Sequence, residues 1–373
     1  MLRRDLVATA LAAPPLLMAG CASPPSRAGA SAEPATARIT VLYDAFGRDP
    51  ALQKDWGYAA FVETGGRRIL FDTGNDPAIL ARNVAARGVD LARLDVVVLS
   101  HRHGDHMGGM KTLLDANPKV RIHAPKEAFG VYGADLPGTF YRRDESLPPE
   151  QRYFDGRPPD VMRFGSAWPQ ADITLVDKTT TIAPGVHLIS LVSDKPGTLE
   201  LRELSLAVET PEGMVIVVGC SHAGIDRIVK AAAEIQPRIQ LVAGGFHLVV
   251  AKDAEIEAAV AMLRDTARVA WVAPGHCTGE PTFAALRRAY GDRYLYAGLG
   301  TTITLGDTPR VIGGSDVRET EAELEGEDDL QAYRRLLAAS NERRRGLFAR
   351  LQASATPGGA YLGQWRRSLA GCC

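Results

Sequence analysis

An apolar run, Leu94-Asp95-Val96-Val97-Val98-Leu99, leads straight into Ser100-His101-Arg102-His103-Gly104-Asp105-His106. No other stretch restricts the fold as strongly. The β-branched centre of the run reads as a buried strand, and the six residues 101–106 hold three histidines and an aspartate. An ordinary core does not gather imidazoles in this way, because each would need a hydrogen-bond partner away from water. Imidazole nitrogen and carboxylate oxygen suit zinc, manganese or iron, and two histidines one residue apart on an extended segment can aim at a single ion. Asp105 and His106 then turn toward a second ion, as in a dinuclear clamp. The chain is therefore expected to bring a buried strand end to a metal.

Hydrophobic periodicity from Arg38 onward alternates between strands and amphipathic helices, which predicts a layered α/β domain over 38–306. In the first half, strands are expected over 38–44, 57–63, 67–72, 94–100 and 120–124, with helices over 77–87 and 108–116. In the second half they are expected near 173–176, 186–192, 203–209 and 214–219. A strand-helix repeat follows, with strands 214–219, 239–244 and 269–273 leading to helices 224–235, 254–266 and 281–290. The strand ends read Gly219-Cys220-Ser221-His222, Gly244-Gly245-Phe246-His247 and Gly275-His276. Ligand sites of α/β folds lie at the carboxyl ends of strands, so these histidines are candidates to complete the centre.

Residues 125–171 break this rhythm with seven prolines and a scatter of aromatics, and they read as an inserted cap that meets the substrate. Within the cap, Tyr141, Arg142 and Arg143 are candidate substrate contacts, with a solvated charge pair as the alternative for the two arginines. Past Leu305 the composition turns to Glu, Arg, Ala and Leu, so 307–373 is expected to be a charged, mostly helical extension.

Residues 1–21 read as an export signal: Arg3 and Arg4, an apolar run from Leu6 to Ala19, then Gly20-Cys21. Leu16-Leu17-Met18-Ala19-Gly20-Cys21 resembles a bacterial lipobox, which implies a lipid anchor on Cys21 and a place in the cell envelope or periplasm. The arginine pair resembles a twin-arginine signal and leaves the export route open. This largely apolar run of 14 residues falls short of the roughly 20 that span a bilayer. The Ala-, Ser- and Pro-rich stretch 22–37 suits a flexible tether. A formal charge of -1 over 373 residues gives no basic surplus for a nucleic-acid partner. Five scattered cysteines make no disulfide framework.

The set His101, His103, Asp105 and His106 resembles the H-x-H-x-D-H motif of the metallo-β-lactamase superfamily, and Phe71-Asp72-Thr73-Gly74 resembles its upstream aspartate motif. Together with Trp56-Gly57-Tyr58 and the three Gly-containing strand ends, the set is similar to a branch that includes 7,8-dihydropterin-6-methyl-4-(β-D-ribofuranosyl)aminobenzene 5'-phosphate synthases. The resemblance implies an αββα sandwich with one or two ions, zinc first and manganese or iron as alternatives. By position it implies that His101, His103 and His222 hold the first ion and Asp105, His106 and His276 the second, with Asp72 supporting the loop. His247 competes with His222 for the remaining place; His222 is the favoured ligand, with His247 then meeting substrate or bound water. Cys220 stands where many members carry a bridging aspartate, and it either ligates as a thiolate or packs as a small apolar group.

The expected function is hydrolysis of a small-molecule ester, lactone, amide or phosphate-type substrate, with Asp105 orienting or deprotonating the water. One alternative is a dihydropterin-type transferase acting on a phosphorylated substrate, which sits awkwardly with export because pterin substrates are cytosolic. The other is a non-catalytic envelope metal-binding or sensing module, suggested by the missing carboxylate at Cys220.

Overall fold

The computed structural model describes residues 37–312 apart from 128–130, 138–142, 144, 147, 150, 151 and 167. The signal segment, the tether up to residue 36, Cys21, Tyr141, Arg142 and residues 313–373 of the expected extension lie outside the described residues. Strands β1 (Arg38–Tyr43), β2 (Ala59–Thr64), β3 (Arg67–Phe71), β4 (Val96–Val98) and β5 (Arg121–Pro125) build the first half. Strands β6 (Tyr132–Pro137) and β7 (Val161–Ser166) pair as a separate antiparallel ribbon within the 125–171 insertion. Then come β8 (Asp172–Val176), β9 (Thr180–Ala183), β10 (Val186–Val192), β11 (Arg202–Thr210), β12 (Gly213–Val218), β13 (Ile239–Gly245), β14 (Trp271–Gly275), β15 (Thr302–Thr304) and β16 (Arg310–Ile312).

One sheet has the order β16-β15-β1-β2-β3-β4-β5-β8 and the other β14-β13-β12-β11-β10-β9. Between them lies an apolar layer that includes Ile39, Val41, Phe71, Leu204, Leu206, Val215, Val217 and Leu241. Burying a Val, Leu or Ile side chain contributes about 1.5–3 kcal/mol, so this layer supplies the main drive for stacking the sheets. Helices α1 (Pro77–Ala86), α2 (Gly104–Met107) and α3 (Met110–Ala116) belong to the first half, and α4 (Ile225–Ile235), α5 (Asp253–Ala261) and α6 (Glu280–Tyr290) to the second.

Their faces explain the outer layers. In α1, Asp76 caps the first turn by accepting from the N–H groups of Ala78 and Ile79, Pro77 opens the helix, and Ile79, Leu80 and Val84 turn inward. In α4 the buried set Ile225, Ile228, Val229 and Ala232 follows the helical period onto the second sheet. The helices α1 and α3 thus cover the first sheet and α4, α5 and α6 the second, giving α/β/β/α layers. Within the insertion, Tyr132 is buried and joins the outer core of the first sheet, with Trp168 packed against it.

Pairing is parallel along β3-β4-β5-β8 and along β12-β13-β14. The carboxyl ends of β3, β4, β12, β13 and β14 carry Asp72, the histidine run, Cys220–His222, His247 and His276.

Candidate metal centre

Past β4 the chain crosses the open end between the sheets, where Ser100, His101 and His106 are fully buried and His103 and Asp105 nearly so. Two earlier segments fix this loop. Asp72 accepts the Ser100 N–H at 2.6 Å and the Ser100 hydroxyl at 2.7 Å. Thr73 donates its N–H (2.7 Å) and its hydroxyl (3.0 Å) to the His106 carbonyl, while the Tyr58 N–H donates to the Asp105 carbonyl at 3.2 Å. At Gly57, φ is +143° and a Cβ would stand 2.5 Å from that carbonyl, so no larger residue fits between the loop and Tyr58. The sequence motifs Trp56-Gly57-Tyr58 and Phe71-Asp72-Thr73-Gly74 are thus the clamp that holds the donors.

The donors fall into two triads. His101 Nε2 lies 2.9 Å from His103 Nδ1 and 3.2 Å from His222 Nε2. His106 Nε2 lies 3.2 Å from His276 Nε2 and 3.8 Å from Asp105 Oδ2, which is 3.5 Å from His276 Nε2. Nitrogen and oxygen donors bound tetrahedrally to one zinc ion stand about 3.3 Å apart, so both triads fit an ion of that size. Cys220 Sγ is 3.2 Å from His106 Nε2 and shares donor sets with both triads, one with His101 and His106 and another with His276 and Cys277. Among the described residues His247 enters a donor set with Cys220 and His222 and none with His101 or His103. The side chains therefore bring His222, and not His247, to the first triad.

Electrostatics set the donors' protonation. Burial, reinforced by neighbouring imidazoles, holds His101 and His222 well below the usual histidine range. Burial takes His103 down to about 3 and also lowers His276. Neutral imidazoles result. His106 differs: burial pulls it down, but the Asp105 and Asp72 carboxylates outweigh this and hold its proton up to about 9. A cation at the second triad competes with that proton, so affinity there falls as pH falls.

Asp72 also sets the tautomers. The Ser100 proton is committed to Asp72, so Ser100 Oγ accepts from His101 Nδ1–H at 2.8 Å and leaves His101 Nε2 facing its triad. His106 Nδ1–H donates to Asp72 Oδ2 at 2.7 Å and leaves Nε2 facing the other. A single carboxylate thus aims one ligand of each triad.

Residues 57–199 match the family model of the metallo-beta-lactamase superfamily. A crystal structure described as a metal-dependent hydrolase of the beta-lactamase superfamily superposes with a TM-score of 0.55 at 27% identity, covering 73% of this chain and all of that one. The chain has the metallo-β-lactamase fold. It is also 29% identical over 244 residues to the 7,8-dihydropterin-6-methyl-4-(beta-D-ribofuranosyl)-aminobenzene-5'-phosphate synthase of Methanocaldococcus jannaschii, spanning 58% of this chain and 78% of that protein. An uncharacterized protein of the same organism is 25% identical over 264 residues, 66% of this chain and 92% of its own length.

In this metallo-β-lactamase-fold chain the strand ends carry backbone strain. Asp72, Ser221, His247 and His276, each just past a strand, have φ of 61°, 63°, 51° and 45°. Left-handed backbone at non-glycine residues costs on the order of 1–3 kcal/mol each and persists where surrounding contacts over-determine it. Those contacts are present. The Ser221 hydroxyl donates to the Gly245 carbonyl at 2.7 Å, and the His276 N–H donates to the Asp44 carboxylate at 3.0 Å. Gly219 is needed for close approach, since a Cβ there would lie 2.3 Å from Ser100 Oγ and 3.0 Å from Asp72 Oδ2.

Two carboxylates of the centre, Asp44 and Glu203, escape sequence reasoning. Asp44 is fully buried after β1 and positions His276 through its backbone; burial pushes its carboxyl well up. Glu203 Oε1 accepts the N–H groups of Cys220 at 3.0 Å and Ser221 at 2.8 Å, and burial holds its pKa up to about 6. In the sequence it is one of two adjacent charged residues, Arg202 and Glu203, among the leucines of Leu201–Leu206. Arg143, the described member of the expected cap contacts, is exposed.

Proposed function

We propose that this protein is a metal-dependent hydrolase that directs activated water at a small-molecule ester, lactone, amide or phosphate-type substrate, with zinc as the first choice of ion and manganese or iron as alternatives. The supporting observation is the juxtaposition of two buried three-donor sets, His101/His103/His222 and Asp105/His106/His276. Three protein donors per ion is the count of catalytic zinc sites, which keep a position for water or substrate. A metal held there supplies Lewis acidity and lowers the pKa of water toward about 7. Asp105 joins the second triad through Oδ2, 3.5 Å from His276 Nε2, and we assign its other carboxylate oxygen to orient the water and accept its proton. Asp72 and Ser100 keep His101 and His106 in register while this proton moves.

The test is hydrolysis of p-nitrophenyl acetate, a γ-lactone and bis-p-nitrophenyl phosphate by the purified protein. At least one is expected to be cleaved, the activity to vanish on chelation, and zinc, manganese or iron to restore it. No cleavage of any of the three after reconstitution would sink the hydrolase.

A second reading, a transferase acting on a phosphorylated dihydropterin-type substrate, is favoured by the identity shared with the Methanocaldococcus synthase. Formation of a coupled product from a pterin diphosphate, in place of free diphosphate hydrolysis, would put it first.

The same proposal places the enzyme in the envelope, on the strength of Leu16–Cys21, facing a small-molecule substrate. Radiolabelled palmitate is expected to enter the wild-type chain in a bacterial host and not Cys21→Ala. Equal labelling of the two would remove the anchor.

A further inference from the structure

The loop between β10 and β11, the turn from β12 into α4 and the segment from β13 into α5 line a half-open cavity of about 770 Å³ beside the centre. Cavities of this size hold small organic ligands. Its lining includes His222 and His247, and its walls include Ile225, Phe246, Leu248, Ala251, Ala259 and Met262. The cavity thus has an apolar stretch of wall beside polar lining residues, and it adjoins a donor of the first triad.

Two features of the rim point the same way. Val250 is 68% exposed and lines the cavity, and Leu199, 61% exposed, follows the lining residue Thr198. Isolated apolar side chains on a surface are ordinary, but here two stand beside a cavity with an apolar stretch of wall. The charges decide against a phosphate-type occupant. Lys195 lines the cavity together with Asp226 and Glu255, so the acidic groups offset its positive charge. The small side chains of Ala251, Ala258 and Ala259 leave the space that larger residues would fill.

We propose that this cavity seats a saturated acyl chain, which makes the substrate a medium-chain acyl ester or acyl amide whose carbonyl lies at the metal donors. This rests on the hydrolase reading of the centre. Water adds its hydroxyl to the acyl carbon, the bond from that carbon to the leaving oxygen or nitrogen breaks, and the leaving group departs with the remaining proton. The products are a carboxylic acid and an alcohol or amine.

The experiment pairs turnover with binding on the metal-reconstituted full chain, using p-nitrophenyl acetate, butyrate and octanoate together with calorimetric titration of sodium octanoate against sodium acetate. Because each buried methylene contributes favourably, kcat/KM is expected to rise at least about tenfold from acetate to octanoate, and octanoate to bind more tightly than acetate. In Ala259→Trp the octanoate-to-acetate ratio is expected to fall to near one and the octanoate heat to disappear. Val250→Asp, at an exposed position, repeats the comparison should the tryptophan disturb folding. A flat chain-length profile that neither variant alters overturns the proposal. Octanoate binding that Ala259→Trp abolishes, with no ester cleaved, upholds the cavity and overturns hydrolysis. Absence of both cleavage and octanoate binding overturns both.

Discussion

Replacing His222 with alanine is expected to remove one bound ion per chain and to lower kcat/KM by at least about a thousandfold, whereas His247→Ala keeps the full ion count and loses less. The difference follows from where the two rings stand. His222 is buried with its Nε2 3.2 Å from His101 Nε2. The His247 ring lies against His222, with centroids 4.2 Å apart, and among the described residues it shares no donor set with His101 or His103. Deleting His222 leaves the first triad two donors, too few to hold an ion against water. Deleting His247 removes a neighbour of the centre but a member of neither triad. Elemental analysis of the two purified variants, beside steady-state kinetics, checks this. An ion lost from His247→Ala but retained by His222→Ala would exchange the two roles.

That choice between histidines also marks where the sequence stopped being informative. Both follow a Gly-terminated strand, and strand ends are readable because an apolar β-branched run gives way to glycine and a polar residue. The strands β10 and β13 and the helices α4 and α6 fall within a residue or two of their expected bounds for that reason. What the pattern does not contain is the direction in which each ring leaves its turn. His222 and His247 differ through the conformations of Ser221 and His247 itself, both at positive φ.

The same limit hid other features. The strands β15 and β16 have three residues each, too few for a period-two pattern to register. The helix expected over 254–266 continues past Ala261 as a π-helical turn over Met262–Thr266, a change of winding that leaves apolar spacing almost untouched. Asp44 and Glu203 are not legible in the sequence because neither carboxylate has a motif around it. Their roles come from strands far apart in sequence: Glu203 on β11 meets the backbone after β12, and Asp44 after β1 meets the backbone after β14. Asp72, by contrast, is legible through the resemblance of Phe71-Asp72-Thr73-Gly74 to an upstream aspartate motif, although its double role is not.

That double role yields the second large effect. Asp72→Asn is expected to weaken metal binding at both triads by about 10- to 100-fold each and to cost at least about 2 kcal/mol of stability, since a buried charged acceptor with several donors is replaced. The carboxylate accepts from Ser100 N–H, Ser100 Oγ and His106 Nδ1 at 2.6–2.7 Å. An asparagine has one acceptor oxygen for these three donors, and its amide group would bring a fourth donor into the cluster. Ser100→Ala separates the branches, because His101 loses its Nδ1 acceptor while the contact from His106 to Asp72 stays. The serine variant is therefore expected to weaken the first triad alone. Competition titrations against a chromophoric chelator, together with thermal unfolding, measure both variants. If Asp72→Asn bound two ions with wild-type affinity, the carboxylate would be a packing element, and the aim of His101 and His106 would have to come from the backbone of their loop.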